Sequence, residues 1–330
     1  MKVLITGGTG FIGSRLALAC LDRGDQVAVL GREDASEAEL SNRAMLESKG
    51  VQVLVGSVTD RQRMLEITSG ADLVFHLAAA QHEMNVPDEL FHAVNVEGTR
   101  NMLEASLAAG VKRFLHGSTI GVYDREVETI VDETTPVKPD NIYGVTKAEG
   151  ESVVQSYFDR LPCTIIRISE TYGPGDRRLL KLFKAVAKGV FFMIGRGQNI
   201  HQLIYVDDLV EGILTAAGHE GAIGQTFVLA GEERLTSNEM VAAVAAAVGA
   251  KQKTWRAPLW PFMWLATIME FTLRPLGIQP PLHRRRMDFF TKSFRISTAK
   301  AEALLGYKAS TSFAEGCRRT AAWYRNQKLL

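Results

Sequence analysis

A chain of 330 residues and 36.3 kDa has room for one large domain, or for a large domain with a smaller lobe. Its 46% hydrophobic and 23% charged residues are an ordinary soluble balance, and a net charge of +1 gives no global reason for a nucleic-acid partner. Cys20, Cys163 and Cys317 form neither a disulfide framework nor a metal knuckle, which suits a reducing compartment; with no signal peptide ahead of MKVLIT, the cytoplasm is expected.

KVLIT (2–6) reads as a strand and a helix begins near Phe11. Between them Gly7, Gly10 and Gly13 are spaced G-x-x-G-x-x-G. The first glycine permits the tight turn, the second lets backbone approach a pyrophosphate, and the third lets the helix lie close to the strand. Thr9, Gly10, Phe11, Ile12 and Gly13 then offer the phosphates the unpaired N–H groups and positive dipole end of a helix start. The second strand, QVAVLG (26–31), ends at Gly31 and Arg32, where an acid would bind the 2′-hydroxyl of an NAD(H) ribose. The Arg32 guanidinium can fork onto a 2′-phosphate instead, favouring NADP(H); Glu33, one position late, leaves NAD(H) open. VQVLVG (51–56) follows, and Ser57 and Val58 after it are expected beside the adenine.

LVFHLA (73–78) is the fourth strand, and the small residues of HLAA put the backbone of Leu77, Ala78 and Ala79 under the cofactor. NVEGT (95–99) opens a helix; Asn95 is read either as its start or as a group that orients Lys147. RFLHGS (113–118) is the fifth strand, with Ser118 and Thr119 on the rim where open α/β sheets bind ligands. Tyr143 and Lys147 lie one turn apart on the next helix, therefore on one face. CTIIRIS (163–169) continues the series; LIYV (203–206), a helix from Asp207 and TFVLA (226–230) are expected to return to the same sheet. These runs are apolar throughout rather than alternating, as in parallel strands buried on both faces, so the fold class is a doubly wound α/β Rossmann-type sheet. The Rossmann domain is placed at 1–170 with 201–230. Residues 171–200 and 231–330, richer in Pro, Arg and Trp, form a smaller, mostly helical substrate lobe.

With TGGTGFIG, HLAA, NVEGT, YGVTK, ISETYGPGD (168–176) and IYVDDLVEG (204–212) in this order, the chain resembles the extended short-chain dehydrogenase/reductase family, closest in character to its 3β-hydroxysteroid dehydrogenase-like and dihydroflavonol reductase-like members. The resemblance implies Thr119, Tyr143 and Lys147 as catalytic residues, with Tyr143, Lys147, Ser118 and Asn95 also against the nucleotide. The residue types fit. A free phenol titrates at about 10, too high to accept a carbinol proton readily, and a neighbouring ammonium favours its phenolate. Lys147 would also bond the nicotinamide ribose and Thr119 the substrate oxygen. The resemblance further implies a homodimer through helices that include the Tyr143 one.

Three functions follow from this reading: an oxidoreductase acting on an apolar alcohol or ketone, sterol-like or polyketide-like; a nucleotide-sugar epimerase or dehydratase; and a non-catalytic dinucleotide sensor. Sugar-nucleotide members usually carry Asn where this chain has Glu170, and often Arg where it has His201 and Gln202. An anion gained and a cation lost disfavour a diphosphate ligand. The apolar run 257–269, with Trp260, Trp264 and a continuation to Leu276, is expected to wall a greasy pocket. Peripheral membrane contact through 257–276 is the alternative, since a span needs roughly 20 apolar residues. Arg284, Arg285 and Arg286 are read as a solvated basic surface, or else as an anion site. Seven histidines without paired spacing predict no metal, Asp207 or Asp208 is expected to cap its helix, and Ser118 lies in no nucleophile elbow.

Overall fold

The computed structural model describes residues 1–81, 87–123, 129–251, 255–273 and 284–330, and only the backbone of Arg284, Arg285, Arg286 and Asp288. Its first half alternates β1 (Lys2–Thr6), α1 (Phe11–Asp22), β2 (Gln26–Gly31), α2 (Glu37–Ser48), β3 (Gln52–Val55), α3 (Arg61–Thr68) and β4 (Leu73–His76). There follow α4 (Asp88–His92), α5 (Gly98–Ala108), β5 (Arg113–Thr119), α6 (Ile142–Gln155), β6 (Cys163–Ile168), α7 (Leu180–Ala187), α8 (Val206–Gly218) and β7 (Gln225–Leu229). The seven strands form one parallel sheet in the order β7-β6-β5-β4-β1-β2-β3. Successive β1 side chains enter opposite cores: Val3 and Ile5 meet α1 residues such as Leu16 and Ala17, while Leu4 meets α5 residues such as Met102 and Leu103. Burial on both faces is why these runs are apolar without alternation.

Strand order reverses between β1 and β4, which opens a crevice at the carboxyl ends of the strands. Thr6 is in register with both Leu30 and His76, and His76 with His116. The segments that follow β1, β2, β4 and β5 therefore emerge side by side.

The remaining helices are α9 (Ser237–Val248), α10 (Leu259–Leu273), α11 (Arg284–Thr291), α12 (Ala299–Leu305) and α13 (Phe313–Asn326). A second core joins Phe183 of α7, Met240 and Val244 of α9, and Phe313, Cys317 and Tyr324 of α13. The tail is divided between the two bodies. Ala301, Leu305 and Tyr307 pack with Ile213 and Phe227 in the core of the sheet, and the Tyr307 hydroxyl donates to the Asp208 carbonyl at 2.6 Å.

Three expectations are corrected here. Ile204–Tyr205 does not join the large sheet; it pairs with Thr171–Tyr172 in a two-stranded ladder, because α8 begins at the next residue. Neither Asp207 nor Asp208 caps α8 with its side chain: Asp207 takes the Arg15 guanidinium, with Nε at 3.1 Å, and Asp208 takes the Thr311 N–H and hydroxyl at 2.9 and 2.7 Å. Finally, Trp260 and Trp264 do not wall a pocket. They are 69% and 67% exposed, because α10 docks through its opposite face, where Ala266 is buried. Leu276 lies outside the described residues, as do the side chains of Arg284, Arg285 and Arg286. Among the described residues no helix is long and apolar enough to cross a membrane.

Candidate active site

The glycine turn is closed sterically. Gly7 has φ +68°, and a Cβ there would meet the Leu77 carbonyl at 2.9 Å; a Cβ on Gly13 would stand 2.2 Å from the Gly7 oxygen. No side chain caps the α1 start at Gly10, so the leading N–H groups stay open to an anionic ligand. Thr9 is buried with its methyl and hydroxyl against Gly31, and Phe11 reaches the Gly175 turn. Ile12 is half-buried on the sheet core. Below the turn, Leu77 N–H bonds the Thr6 carbonyl at 3.1 Å and Ala78 N–H the Thr6 hydroxyl at 3.2 Å, which fixes the Leu77–Ala79 backbone beside Gly7. A uncapped helix start, a backbone-lined turn and a Cβ-free floor fit a dinucleotide pyrophosphate.

At the end of β2, the half-exposed Arg32 guanidinium lies 3.7 Å from Asp34 and 3.6 Å from Glu39. Ser57 is exposed after β3, its hydroxyl 2.8 Å from that of Thr59. Val58 turns its side chain into the core against Gly98, so only its backbone, with its carbonyl held by Asn101 at 3.0 Å, borders the crevice.

Thr119 and Tyr143 come together at Gly121. A methyl group placed on Gly121 would stand 3.4 Å from Thr119 Oγ1 and 4.0 Å from Tyr143 Cε1. Two details enforce this meeting. Thr119 accepts the Gly121 N–H at 3.0 Å, and Gly144 approaches so closely that a Cβ there would lie 2.3 Å from the Gly121 oxygen. Asn141 caps α6 by accepting the Gly144 N–H at 3.1 Å, so the helix starts at the reactive pair. One turn on, the Lys147 amine donates to the Gly117 carbonyl at 2.7 Å and to His116 Nε2 at 3.2 Å. Lys147 is 1% exposed, and burial lowers its pKa to about 8, with the Glu151 charge opposing the shift. The amine is therefore cationic at neutral pH yet titrates within the working range.

Ser118 points the other way. Adjacent residues of a strand face opposite sides, and the Ser118 hydroxyl donates to Glu151 at 2.5 Å behind β5. Glu151 also takes three N–H contacts from Arg167, at 2.7, 3.0 and 3.2 Å. Arg167 in turn donates to the Tyr123 hydroxyl at 2.6 Å, which itself donates to the Asp132 carbonyl at 2.8 Å. Burial pushes the Tyr123 phenol up to about 12. Sequence reasoning missed this network, which joins the end of β5 to α6 and β6.

Asn95 is not at a helix start. It sits in a π-turn, Ala93–Glu97, that joins α4 to α5 without a break. It brackets Ala80 through both backbone atoms, at 2.8 and 3.1 Å, and donates to the Thr146 hydroxyl at 3.0 Å. It thus ties the β4 exit to α6 at the residue before Lys147 and makes no bond to that amine. His76 and His116 were also missed. Their rings lie 5.4 Å apart beneath the site, and burial, reinforced by the Lys147 charge, drives His76 down to about 3 and His116 well below its usual range. Both are neutral at working pH, His76 bonded to the Thr6 and Thr99 hydroxyls and His116 to the Lys147 amine.

The positions expected to meet a sugar diphosphate are otherwise engaged. Gln202 is buried, its amide spanning the Gly231 carbonyl at 2.7 Å and the Ile296 N–H at 2.8 Å. His201 is stacked on Phe289 at 4.8 Å and lies 2.9 Å from the Ser237 hydroxyl. Glu170 is exposed.

Comparison with known proteins gives the family and the fold. The NAD dependent epimerase/dehydratase family matches residues 3–230. The chain is 29% identical to 3beta-hydroxysteroid-dehydrogenase/decarboxylase isoform 2 of Arabidopsis thaliana, over 96% of this chain and 61% of that protein. It is 30% identical to a 2-alkyl-3-oxoalkanoate reductase of Stenotrophomonas maltophilia, over 98% and 99% of the two chains. The crystal structure of a dTDP-glucose 4,6-dehydratase from Streptomyces venezuelae, with NAD and TYD bound, superposes with a TM-score of 0.78 at 26% identity, covering 99% and 98%.

Proposed function

The chain belongs to the NAD dependent epimerase/dehydratase family, and from that membership we propose that it interconverts a secondary alcohol and a ketone on an apolar small molecule, with NADP(H) preferred. The observation that carries the reaction type is the meeting of Thr119 and Tyr143 at Gly121, with the Lys147 amine anchored one helical turn away. Gly7 to Gly13 would hold the pyrophosphate and the Leu77–Ala79 backbone would lie under it. The nicotinamide, when bound, supplies or takes the hydride. In the reducing direction the Tyr143 phenol gives its proton to the carbonyl oxygen; in the oxidising direction it takes the proton from the alcohol. The Thr119 hydroxyl holds that same oxygen, and the Lys147 charge favours the phenolate form. Such an acid–base set has no use in a non-catalytic sensor.

The substrate class rests on what surrounds Glu170, His201 and Gln202. The last two turn inward to protein partners and bring no guanidinium to a phosphate, while Glu170 adds an exposed anion. Two relatives named for a hydroxysteroid and an oxoalkanoate favour the apolar alcohol or ketone. Likeness to a dTDP-glucose dehydratase favours the second reading, a sugar nucleotide. A panel of sterol and 2-alkyl-3-oxoalkanoate ketones, followed at the nicotinamide absorbance, is expected to show turnover, and UDP- and dTDP-sugars none. Robust epimerisation or dehydration of a sugar nucleotide would overturn the choice.

The NADP(H) preference rests on Arg32, with no acid at Gly31. Its contacts with Asp34 and Glu39 are long, at 3.7 and 3.6 Å, and a 2′-phosphate can replace them. Arg32→Ala is expected to weaken NADPH binding by about 1.5–3 kcal/mol and leave NADH nearly unchanged, as read by fluorescence titration. Equal losses would mean that Arg32 does not read the phosphate.

A further inference from the structure

Most of the exposed large apolar side chains among the described residues fall in two short segments, 190–192 and 255–271. On α10 they share one face: Trp260, Trp264, Ile268 and Phe271 follow the helical repeat, with Leu265 at its margin. Their exposures run from 47% for Leu265 to 82% for Phe271. The opposite face carries Leu259, Phe262 and Met263 onto Ile194 and Met287, and Phe262 meets Phe192 at 5.8 Å. The helix is thus docked on the body by one side and presents an apolar stripe on the other.

The charge around this stripe is lopsided. Residues 251–286 contain seven Lys or Arg and one acid, Glu270, although the whole chain carries only +1. The rest of the molecule is therefore net acidic, and the cationic excess is gathered in the segments flanking α10. At about 22 Å long, the helix is too short to cross a hydrocarbon core of about 30 Å but long enough to lie along it. We propose that α10 rests on an anionic membrane surface, Trp260, Trp264, Ile268 and Phe271 dipping below the headgroups while Lys251 and Arg256, both exposed just ahead of the helix, meet them. Two tryptophans on the stripe suit that depth, where an indole has one apolar and one wet side. This inference is independent of the substrate assignment.

The test is co-sedimentation of the full chain with phosphatidylglycerol-containing and pure phosphatidylcholine vesicles. Binding to the anionic vesicles is expected, weakening in high salt, with phosphatidylcholine taking up little protein. Trp264→Glu/Phe271→Glu, at exposed positions, is expected to lower binding by on the order of tenfold or more while retaining the thermal midpoint and NADPH affinity. Wild-type protein left in the supernatant with both vesicle types would overturn the proposal. So would undiminished binding by the double variant, or a dimer that this variant splits without any vesicle binding by the parent.

Discussion

Tyr143→Phe is expected to lower kcat by about 10²–10⁴-fold while NADPH affinity and the melting temperature stay close to those of the parent. The substitution removes one oxygen and nothing else. The ring keeps its place beside Gly121, and α6 keeps its Asn141 cap and its contact at Gly144. The proton that must accompany hydride then loses the phenol that gives or takes it, so the loss should fall on kcat and spare substrate affinity. Normal turnover in this variant would remove residue 143 from the chemistry. A fall in nucleotide affinity of the same size would assign it a binding role instead.

Glu151→Gln is expected to cost about 3–5 kcal/mol of stability, read as a lower urea midpoint. The Glu151–Arg167 pair is nearly sealed from solvent, at 3% and 5% side-chain exposure. A guanidinium left buried without its carboxylate loses the partner that made its burial tolerable. Burial opposes the Arg167 charge, but hydrogen bonds and attraction from Glu151 outweigh it and hold the pKa above the usual value. The double substitution Glu151→Leu/Arg167→Met should cost less than Glu151→Gln alone, because it removes the orphaned charge as well. A single-variant cost below about 1 kcal/mol would mean that solvent reaches the pair. There is a catalytic consequence too. The Glu151 charge props up a Lys147 pKa that burial has already lowered to about 8. Its removal lowers that pKa further, so the pH above which the amine loses its proton moves toward acid. The alkaline limb of the rate profile should move with it.

Local patterns carried much of this. The glycine spacing at 7, 10 and 13, the apolar strands and the Tyr143–Lys147 interval are short-range features, and they placed the sheet and the crevice before any coordinates. What escaped was long-range or hidden by uniform composition. Arg167 lies 16 residues from Glu151, Ser118 lies 33 from Glu151 and Tyr123 lies 44 from Arg167, and no spacing rule links them. Ser118 was legible in principle: beside Thr119 in a strand, one of the two had to face away from the ligand. Val58 likewise went into the core, where Gly98 makes room for it. Asn95 admitted a helix start beside a role in orienting Lys147, because the π-turn that carries it has no signature in composition. The run around α10 is apolar on all sides, so its sequence could not say which face was buried and the tryptophans were assigned to the wrong one.

The proposed chemistry requires Thr119, Tyr143 and Lys147 to surround the reactive ring of a nucleotide held on the Gly7–Gly13 turn. A crystal structure of the protein with bound NADP(H) tests it most directly. Both hydroxyls are expected to open onto the nicotinamide carbon that exchanges hydride, with the Lys147 amine bonded to the adjoining ribose and Arg32 on the 2′-phosphate. A nicotinamide placed away from the Tyr143 ring, or a pyrophosphate seated elsewhere than on the glycine turn, would contradict it.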